Sequence, residues 1–266
     1  MHLSDAHCHL QDPRLQDTLT DTLRECRARG IHRWMVNATR EADWAAVTTL
    51  ATTEPGVHAS YGLHPWWQAE RSPHWACHLE MLLKQHPEAA LGETGLDRWM
   101  KNPNIEDQIR VLEEHLELSR TLDRPITLHC LKAWPELAAC LKRSPPSKKG
   151  FLLHSYAGPE AQIEGWVRAG AFFSLSPGFL HPRNAARRAA FTKVPLERLL
   201  LETDAPDMPP PETLAILRLK REDSQHLNHP ANLALCLDAV AADRGMRPEK
   251  LVLQVEKNAS CAFGWV

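Results

Sequence analysis

Two histidines near the start of the chain stand two residues apart, a spacing that suits a metal ion. In the motif Asp5-Ala-His-Cys-His9, a β-strand would turn His7 and His9 to one face, because successive side chains of a strand alternate between faces. Two imidazoles on one face can bind one cation. Asp5 shares that face, and we expect it to orient an imidazole through a hydrogen bond. A pair of exposed surface histidines is the alternative, so the metal hypothesis requires further ligands.

Four further potential ligands each stand at the end of a short apolar stretch. They are Glu93, His129, His154 and Asp204. Imidazole and carboxylate groups together suit Zn²⁺, Mn²⁺ or a similar divalent cation, and no thiolate is needed. Ligands so far apart in the sequence meet only in a fold that brings the ends of several strands to one place.

Strand-like apolar stretches alternate with amphipathic helical stretches along the chain. The predicted strands are 3–9, 33–38, 57–63, 89–93, 126–129, 151–154, 171–175 and 199–204. The predicted helices are 15–29, 41–53, 73–86, 105–122, 133–143, 159–169, 184–193, 230–244 and 248–262. Eight strands alternating with helices predict parallel pairing and right-handed crossovers, and hence an α/β fold of the (β/α)8, or TIM-barrel, type.

A barrel would also bring the candidate ligands together. The carboxyl ends of its strands line one face and carry the catalytic groups. The six ligands belong to the first, fourth, fifth, sixth and eighth predicted strands. A doubly wound open sheet is the alternative, but it would gather ligands at one switch point. The sequence therefore predicts a metal centre at the carboxyl-terminal mouth of a barrel.

Length and composition fit one barrel domain that spans residues 1–266. The chain of 266 residues is close to the ~250 residues of such a barrel, and no linker or repeat divides it. A formal charge of −2 excludes a protein that coats long nucleic acid. Seven scattered cysteines form no Cys-x-x-Cys pair and are expected to be reduced. With no membrane-length apolar run and no leader-like N-terminus, we expect a cytoplasmic protein without membrane contact.

Seven motifs, which span almost the whole chain, resemble those of the TatD family of metal-dependent hydrolases. They are Asp5-Ala-His-Cys-His9, Gly62-Leu-His-Pro65, Gly92-Glu-Thr-Gly-Leu-Asp97, Thr127-Leu-His129, His154-Ser155, Leu201-Glu-Thr-Asp-Ala-Pro206, and the terminal stretch from Asn258 to Phe263-Gly. This family belongs to the amidohydrolase-like barrels. The resemblance therefore implies the (β/α)8 fold and a divalent-metal-dependent hydrolase that acts on ester bonds.

The resemblance also implies two divalent cations, of Zn, Mn or Mg, held by the six candidate ligands. The first cation would be held by His7, His9 and Asp204, the second by His129 and His154, and both by a bridging Glu93. Two cations about 3.5–4 Å apart clamp the attacking and leaving oxygens of a phosphoryl transfer. Asp204 is expected to accept or relay the proton of the attacking water, so Glu93 and Asp204 are the predicted catalytic residues.

Several residues near the predicted mouth bear on the substrate. In the resemblance, His64 binds the substrate phosphate or an additional metal; a rim histidine bonded to a loop carbonyl is the alternative. Trp66 and Trp67 would either stack on a nucleobase or cap the barrel as apolar lid residues. Lys132 stands where many relatives carry an arginine, and a lysine cannot copy a bidentate grip on phosphate.

Two further segments are expected at the same face. Arg183, Arg187 and Arg188 follow the seventh strand, where such barrels often hold phosphate, although arginines that only solvate a helix are an alternative. The segment 206–228 is the longest irregular stretch and directly follows the eighth strand. We expect it to lie over the active face; a connector without a substrate role is the alternative.

These observations favour a TatD-type deoxyribonuclease, a 3′–5′ exonuclease that acts as a monomer on DNA ends or another phosphodiester. One alternative is an amidohydrolase or deacylase that uses the same site, for example a D-aminoacyl-tRNA deacylase. Another is a metal-binding scaffold without activity, which the complete set of ligands disfavours.

Overall fold

An eight-stranded parallel sheet forms the centre of the computed structural model, which describes residues 2–219 and 226–265. Strands β1 to β8 are Leu3–Cys8, Ile31–Asn37, Val57–Tyr61, Ala90–Asp97, Ile126–Leu131, Phe151–Leu153, Ala171–Leu175 and Leu199–Leu201. Each strand pairs in parallel with the next one along the chain. The strands therefore lie side by side in the order of the chain, whereas a doubly wound sheet reverses that order at its switch point. This order confirms the predicted (β/α)8 barrel.

The barrel closes between β1 and β8, at the ends that carry candidate ligands. The backbone N–H of Asp204 donates to the carbonyl oxygen of His7 at 2.9 Å. The N–H of His9 donates to the carbonyl oxygen of Ala205 at 2.8 Å. We call this junction, at residues 7–9 and 204–205, the seam.

Helices cover the outside of the sheet. Helices α1 to α9 are Leu19–Ala28, Glu41–Thr53, Trp75–Gln85, Ile105–Leu122, Trp134–Arg143, Ile163–Arg168, Ala185–Ala190, Leu233–Asp243 and Pro248–Phe263. Helix α4 shows how the sequence sets them: the Asn104 side chain accepts a hydrogen bond from the N–H of Asp107 and caps the first turn. Val111, Leu112 and Leu116 recur at helical spacing and are buried.

The end of the chain seals the barrel at the amino ends of its strands. The ring of Trp265 stacks on His58, at the start of β3, with ring centroids 4.7 Å apart. Phe263 and Trp265 belong to one apolar cluster with Leu152 and Leu200 from the sheet. The opposite end, where the candidate ligands lie, is therefore the open mouth.

Strand β4 is longer than the predicted 89–93 because Gly95 continues it. At φ +148°, a Cβ on Gly95 would lie 1.9 Å from the carbonyl oxygen of His129 on β5. Only glycine permits this close approach of the two backbones. By contrast, β8 is shorter than the predicted 199–204, so Asp204 lies just beyond its end.

The segment after β8 contains a short ribbon that the sequence did not predict. Strands β9 and β10, Arg218–Leu219 and Leu227–Asn228, pair in antiparallel fashion. Residues 220–225, which belong to the predicted irregular stretch 206–228, lie outside the described residues. Within the described ranges, no helix has the length and hydropathy that crossing a bilayer requires.

Candidate metal centre

Glu93 lies at the centre of the histidine cluster and is 2% exposed. Its Oε2 atom is 3.3 Å from His7 Nε2 and 3.4 Å from His9 Nε2. Its Oε1 atom is 2.9 Å from His154 Nε2 and 3.2 Å from His129 Nδ1. One carboxylate oxygen thus faces each histidine pair, which is the arrangement that a bridging ligand requires.

Asp204 completes the half of the cluster at the seam. Its Oδ1 atom is 3.5 Å from His7 Nε2 and 3.3 Å from His9 Nε2. Asp204 adopts the left-handed backbone conformation, with φ +55°, which aspartate tolerates better than most residues. The structure therefore brings all six candidate ligands together, with His7, His9 and Asp204 near one oxygen of Glu93 and with His129 and His154 near the other.

The donor set fits divalent cations. His7 Nε2 and His9 Nε2 are 3.2 Å apart, and His154 Nε2 is 3.4 Å from His129 Nδ1. Ring nitrogens that face one another at such distances repel unless a cation or a proton lies between their lone pairs. Nitrogen and oxygen ligands in this mixture are those of Zn²⁺ and Mn²⁺ sites.

Two of the four imidazoles are held from behind by a hydrogen bond and a third lies in front of a buried carboxylate, so that the opposite ring nitrogen faces Glu93. His9 Nδ1 donates to the carbonyl oxygen of Asn37 at 2.8 Å, which leaves the Nε2 lone pair free for a metal. His129 Nε2 is 3.2 Å from Asp97 Oδ2, and His154 Nδ1 is 3.7 Å from Glu202 Oε1. A partner behind each ring fixes the orientation of a metal ligand.

Like the Nδ1 atom of His154, the Nδ1 atom of His7 is buried and has no hydrogen-bond partner. Its ring instead stacks on that of His154, with centroids 4.0 Å apart and planes 14° apart. Burial lowers the pKa of His7, so the neutral ring that a metal requires is favoured.

Asp97 and Glu202 lie behind two of the candidate ligands, His129 and His154, and were not singled out from the sequence. Glu202 is wholly buried and accepts hydrogen bonds from the hydroxyls of Ser155 and Ser174. Burial opposes the ionisation of Asp97, but its hydrogen bond with His129 and the charge of that ring lower its pKa to about 2. Their spacing could have identified them: Asp97 stands four residues after Glu93, and Glu202 stands two residues before Asp204. Side chains an even number of positions apart lie on the same face of a strand.

Asp5 does not orient an imidazole, contrary to the expectation from the sequence. Its carboxylate accepts hydrogen bonds from the backbone N–H of His7 at 3.3 Å and that of Thr203 at 2.9 Å, and from the Thr203 hydroxyl. Burial raises the pKa of Asp5 to about 8. Asp5 therefore fixes the backbones on the two sides of the seam, and only indirectly the ligands that they carry.

His64 lies deeper than the rim position that the sequence suggested. It is 6% exposed, and its Nε2 atom is 3.4 Å from Glu93 Oε1. Its Nδ1 atom accepts a hydrogen bond from the backbone N–H of Trp66 at 3.2 Å. Burial and the neighbouring histidines lower the pKa of His64 to about 3. A neutral ring with an accepting Nδ1 carries its proton on Nε2, so His64 is built as a hydrogen-bond donor.

A cavity of about 890 Å³ opens above the cluster. Glu93, Asp204 and His64 line its floor, and Trp66 and Trp67 line it as well. Asp207 and Met208 from the segment after β8 also border it, so the start of that segment lies over the mouth as expected.

The three arginines after β7 do not act together. Arg188 is bound to Asp243 on α8 through two hydrogen bonds of 2.7 and 2.5 Å, so it is not a phosphate ligand. Arg183 is exposed and does not line the cavity. Arg187 does line the cavity and remains the candidate for a phosphate contact.

Glu202→Gln is expected to lower metal affinity or turnover by about 10- to 100-fold, because the charge behind His154 is lost while the shape is retained. Calorimetric metal titration and a nuclease assay would measure both quantities. Glu256→Gln is the matched control, since Glu256 also accepts hydrogen bonds from a serine, Ser4, but at the sealed end of β1. Equal metal affinity and turnover in Glu202→Gln and the wild type would contradict this role.

The chain is similar to known proteins in both sequence and structure. The family model described as TatD related DNase matches residues 4–264. The chain is 33% identical over 207 residues to an uncharacterized metal-dependent hydrolase, YjjV, of Escherichia coli K12, covering 77% of this chain and 80% of that protein. It is 28% identical over 243 residues to a 3′-5′ ssDNA/RNA exonuclease TatD of Erwinia billingiae, covering 91% of each. The crystal structure of YjjV superposes with a TM-score of 0.90 at 28% identity, over 99% of this chain and 98% of that one.

Proposed function

The chain belongs to the TatD-related DNase family, and on that premise we propose that it is a 3′–5′ exonuclease that shortens single-stranded nucleic acid with two divalent cations. A metal-dependent nuclease acting on ester bonds is what the family and its named relatives support. The observation that carries the two-cation proposal is Glu93, whose two carboxylate oxygens each face a separate histidine pair.

In this proposal, each cation would be bound by the ligands that lie on one side of Glu93. The cation at the seam would be held by His7, His9 and Asp204, the other by His129 and His154, and both by Glu93. When bound, such cations lower the pKa of water to about 7 and neutralise charge on a phosphate. The residues of the chain hold the cations, accept the proton and orient the phosphate.

Asp204 is the proposed proton acceptor. Its side chain is 14% exposed, against 3% for Glu93, and it lines the cavity. A water that enters from the cavity therefore has more access to the Asp204 carboxylate than to that of Glu93, whose two oxygens both face histidines. A general base must lie within hydrogen-bond reach of the proton that it removes, and of the two carboxylates Asp204 has this access.

His64 is the proposed donor to the substrate. Its Nε2–H projects beside Glu93 at the floor of the cavity, where a phosphate oxygen would lie. The hydrogen bond from Trp66 holds this tautomer. His64 thus differs from the other histidines of the cluster, which present a lone pair.

His64→Ala is expected to reduce kcat by about 10- to 100-fold while both metals stay bound, since a hydrogen bond to a charged group contributes about 1.5–3 kcal/mol. Elemental analysis of the purified variant and steady-state kinetics on a single-stranded oligonucleotide would separate the two effects. Loss of one metal equivalent in His64→Ala would instead make His64 a ligand.

The test of the proposed function is an assay of single-stranded DNA and RNA labelled at the 5′ end, with Mg²⁺, Mn²⁺ or Zn²⁺. We expect a ladder of progressively shorter labelled products that chelation abolishes. Release of the labelled nucleotide in the first step would reverse the proposed polarity. Turnover of an amide, lactone or aminoacylated transfer RNA without nuclease activity would favour the amidohydrolase alternative, and two bound metals without turnover of any substrate the scaffold.

A further inference from the structure

We infer that Trp66 and Trp99 form a subsite for unpaired nucleobases at the mouth of the cavity; this rests on the proposed function. Six of the nine tryptophans are buried, whereas Trp66 is 57% and Trp99 66% exposed. Both line the cavity above Glu93. Exposed indoles lose the hydrophobic stabilisation that burial gives, so their position beside the candidate metal centre points to a ligand that covers them.

A single carboxylate holds the two indole-bearing loops in place. Trp66 Nε1 donates to Asp97 Oδ2 at 2.8 Å, and the backbone N–H of Trp99 donates to Asp97 Oδ1 at 2.6 Å. Asp97 itself is 1% exposed. Trp66 also packs edge-on against His64, with ring centroids 5.1 Å apart and planes 90° apart. The Trp66 ring is thus fixed before binding, as is the backbone that carries Trp99, so less conformational entropy is lost when a base stacks on them.

Positively charged side chains lie beside Trp99 and beside the neighbouring Trp67. Lys132 Nζ is 5.2 Å from the centroid of the Trp99 ring, and Arg40 lies over Trp67 at 4.4 Å. Arg187 lines the same cavity. Aromatic faces interleaved with cations are the arrangement by which proteins bind single strands, the rings stacking on bases and the cations following the phosphates.

The chemistry of the subsite selects for single strands. A base within a duplex is already stacked and paired, so its face is not available to an exposed indole. Unpaired bases next to the scissile phosphate are free to stack on Trp66 and Trp99. The subsite would therefore lower KM for single-stranded ends. Asp97 Oδ2 is also 3.2 Å from His129 Nε2, so the same carboxylate contacts both the subsite and a candidate metal ligand.

The test compares two oligonucleotides labelled at the 5′ end, one of thymidine and one whose last nucleotides carry 5,6-dihydrothymine, a saturated base that does not stack. Trp99→Ala is expected to raise KM on the thymidine strand by about tenfold, equivalent to ~1.4 kcal/mol, with kcat within about twofold. On the dihydrothymine strand the same variant is expected to change KM by less than about twofold. Trp99→Phe should restore most of the wild-type KM.

Leu253→Ala is the matched control, because Leu253 is 72% exposed but lies on α9 beside the sealed end of β1. An unchanged KM in Trp99→Ala, or an equal rise on both strands, overturns the subsite while wild-type shortening of DNA leaves the proposed function standing. If the wild type does not cleave, the fluorescence anisotropy of each labelled oligonucleotide, titrated with the metal-loaded protein, gives its Kd. Weaker binding by Trp99→Ala to the thymidine strand alone then supports the subsite, and any other result overturns it.

Discussion

Glu93→Gln is expected to reduce metal-dependent nuclease activity by at least about 10³-fold. The variant keeps the shape of the side chain but removes the negative charge that two histidine pairs share through separate oxygens. In the proposed two-cation site, loss of the shared ligand would release or displace both cations, each of which would contribute several kcal/mol to the stabilisation of the transition state. Turnover of a labelled single strand and elemental analysis of the purified protein would measure activity and metal content together.

Glu113→Gln serves as the control for Glu93→Gln, because Glu113 pairs with Arg143 on the outside of the barrel and faces no histidine of the cluster. Circular dichroism and thermal unfolding would show that both variants keep the fold. Glu93→Gln with two bound metals and activity close to that of the wild type would remove the bridging assignment.

Asp204→Asn is expected to reduce kcat by about 10²- to 10⁴-fold, the range of a lost general base. Asparagine retains an oxygen that a cation can bind but does not accept a proton, so we expect most of the metal to remain. Asp204→Ala, which lacks both functions, should lose metal as well as activity. Comparison of kcat and metal content among the wild type, Asp204→Asn and Asp204→Ala separates the role of Asp204 as a metal ligand from its role as a general base.

Asp207→Asn is the matched control for Asp204→Asn. Asp207 lies on the same loop and borders the cavity, but its carboxylate is bound by Arg14 at 2.9 and 2.7 Å and stands away from the histidines. We expect Asp207→Asn to retain turnover within about threefold of the wild type. Wild-type kcat in Asp204→Asn with full metal content would assign the proton to another acceptor.

The fold and the positions of the ligands were predictable from the sequence. Buried parallel strands read as short apolar runs, and the side chain that follows such a run points to the mouth of a barrel. His154 and Asp204 follow β6 and β8 in this way, and both lie beside the ligands of other strands. The end of β4 was less predictable, because Gly95 reads as a loop residue until the approach of β5 is known.

The partners of the site residues were not predictable, because they depend on the register between strands. Asp5 was expected to face an imidazole, but Thr203, which lies across the seam, supplies its hydrogen bonds. His129 and Asp97 come from β5 and β4, and the sequence did not show that they meet at 3.2 Å. A strand pattern indicates the face on which a side chain lies, whereas its partner depends on the neighbouring strand.

The seam makes the chemistry of this protein a reporter of barrel closure. His7 and His9 belong to the β1 side of the seam, but Asp204 and the backbone that pairs with β1 follow only after β8. A nascent chain halted before β8 contains the four histidines and Glu93 but lacks Asp204, and it leaves one edge of β1 unpaired. We therefore expect hydrolysis only after β1 and β8 have met, and a protein cut between them would regain activity only when the two fragments reassociate.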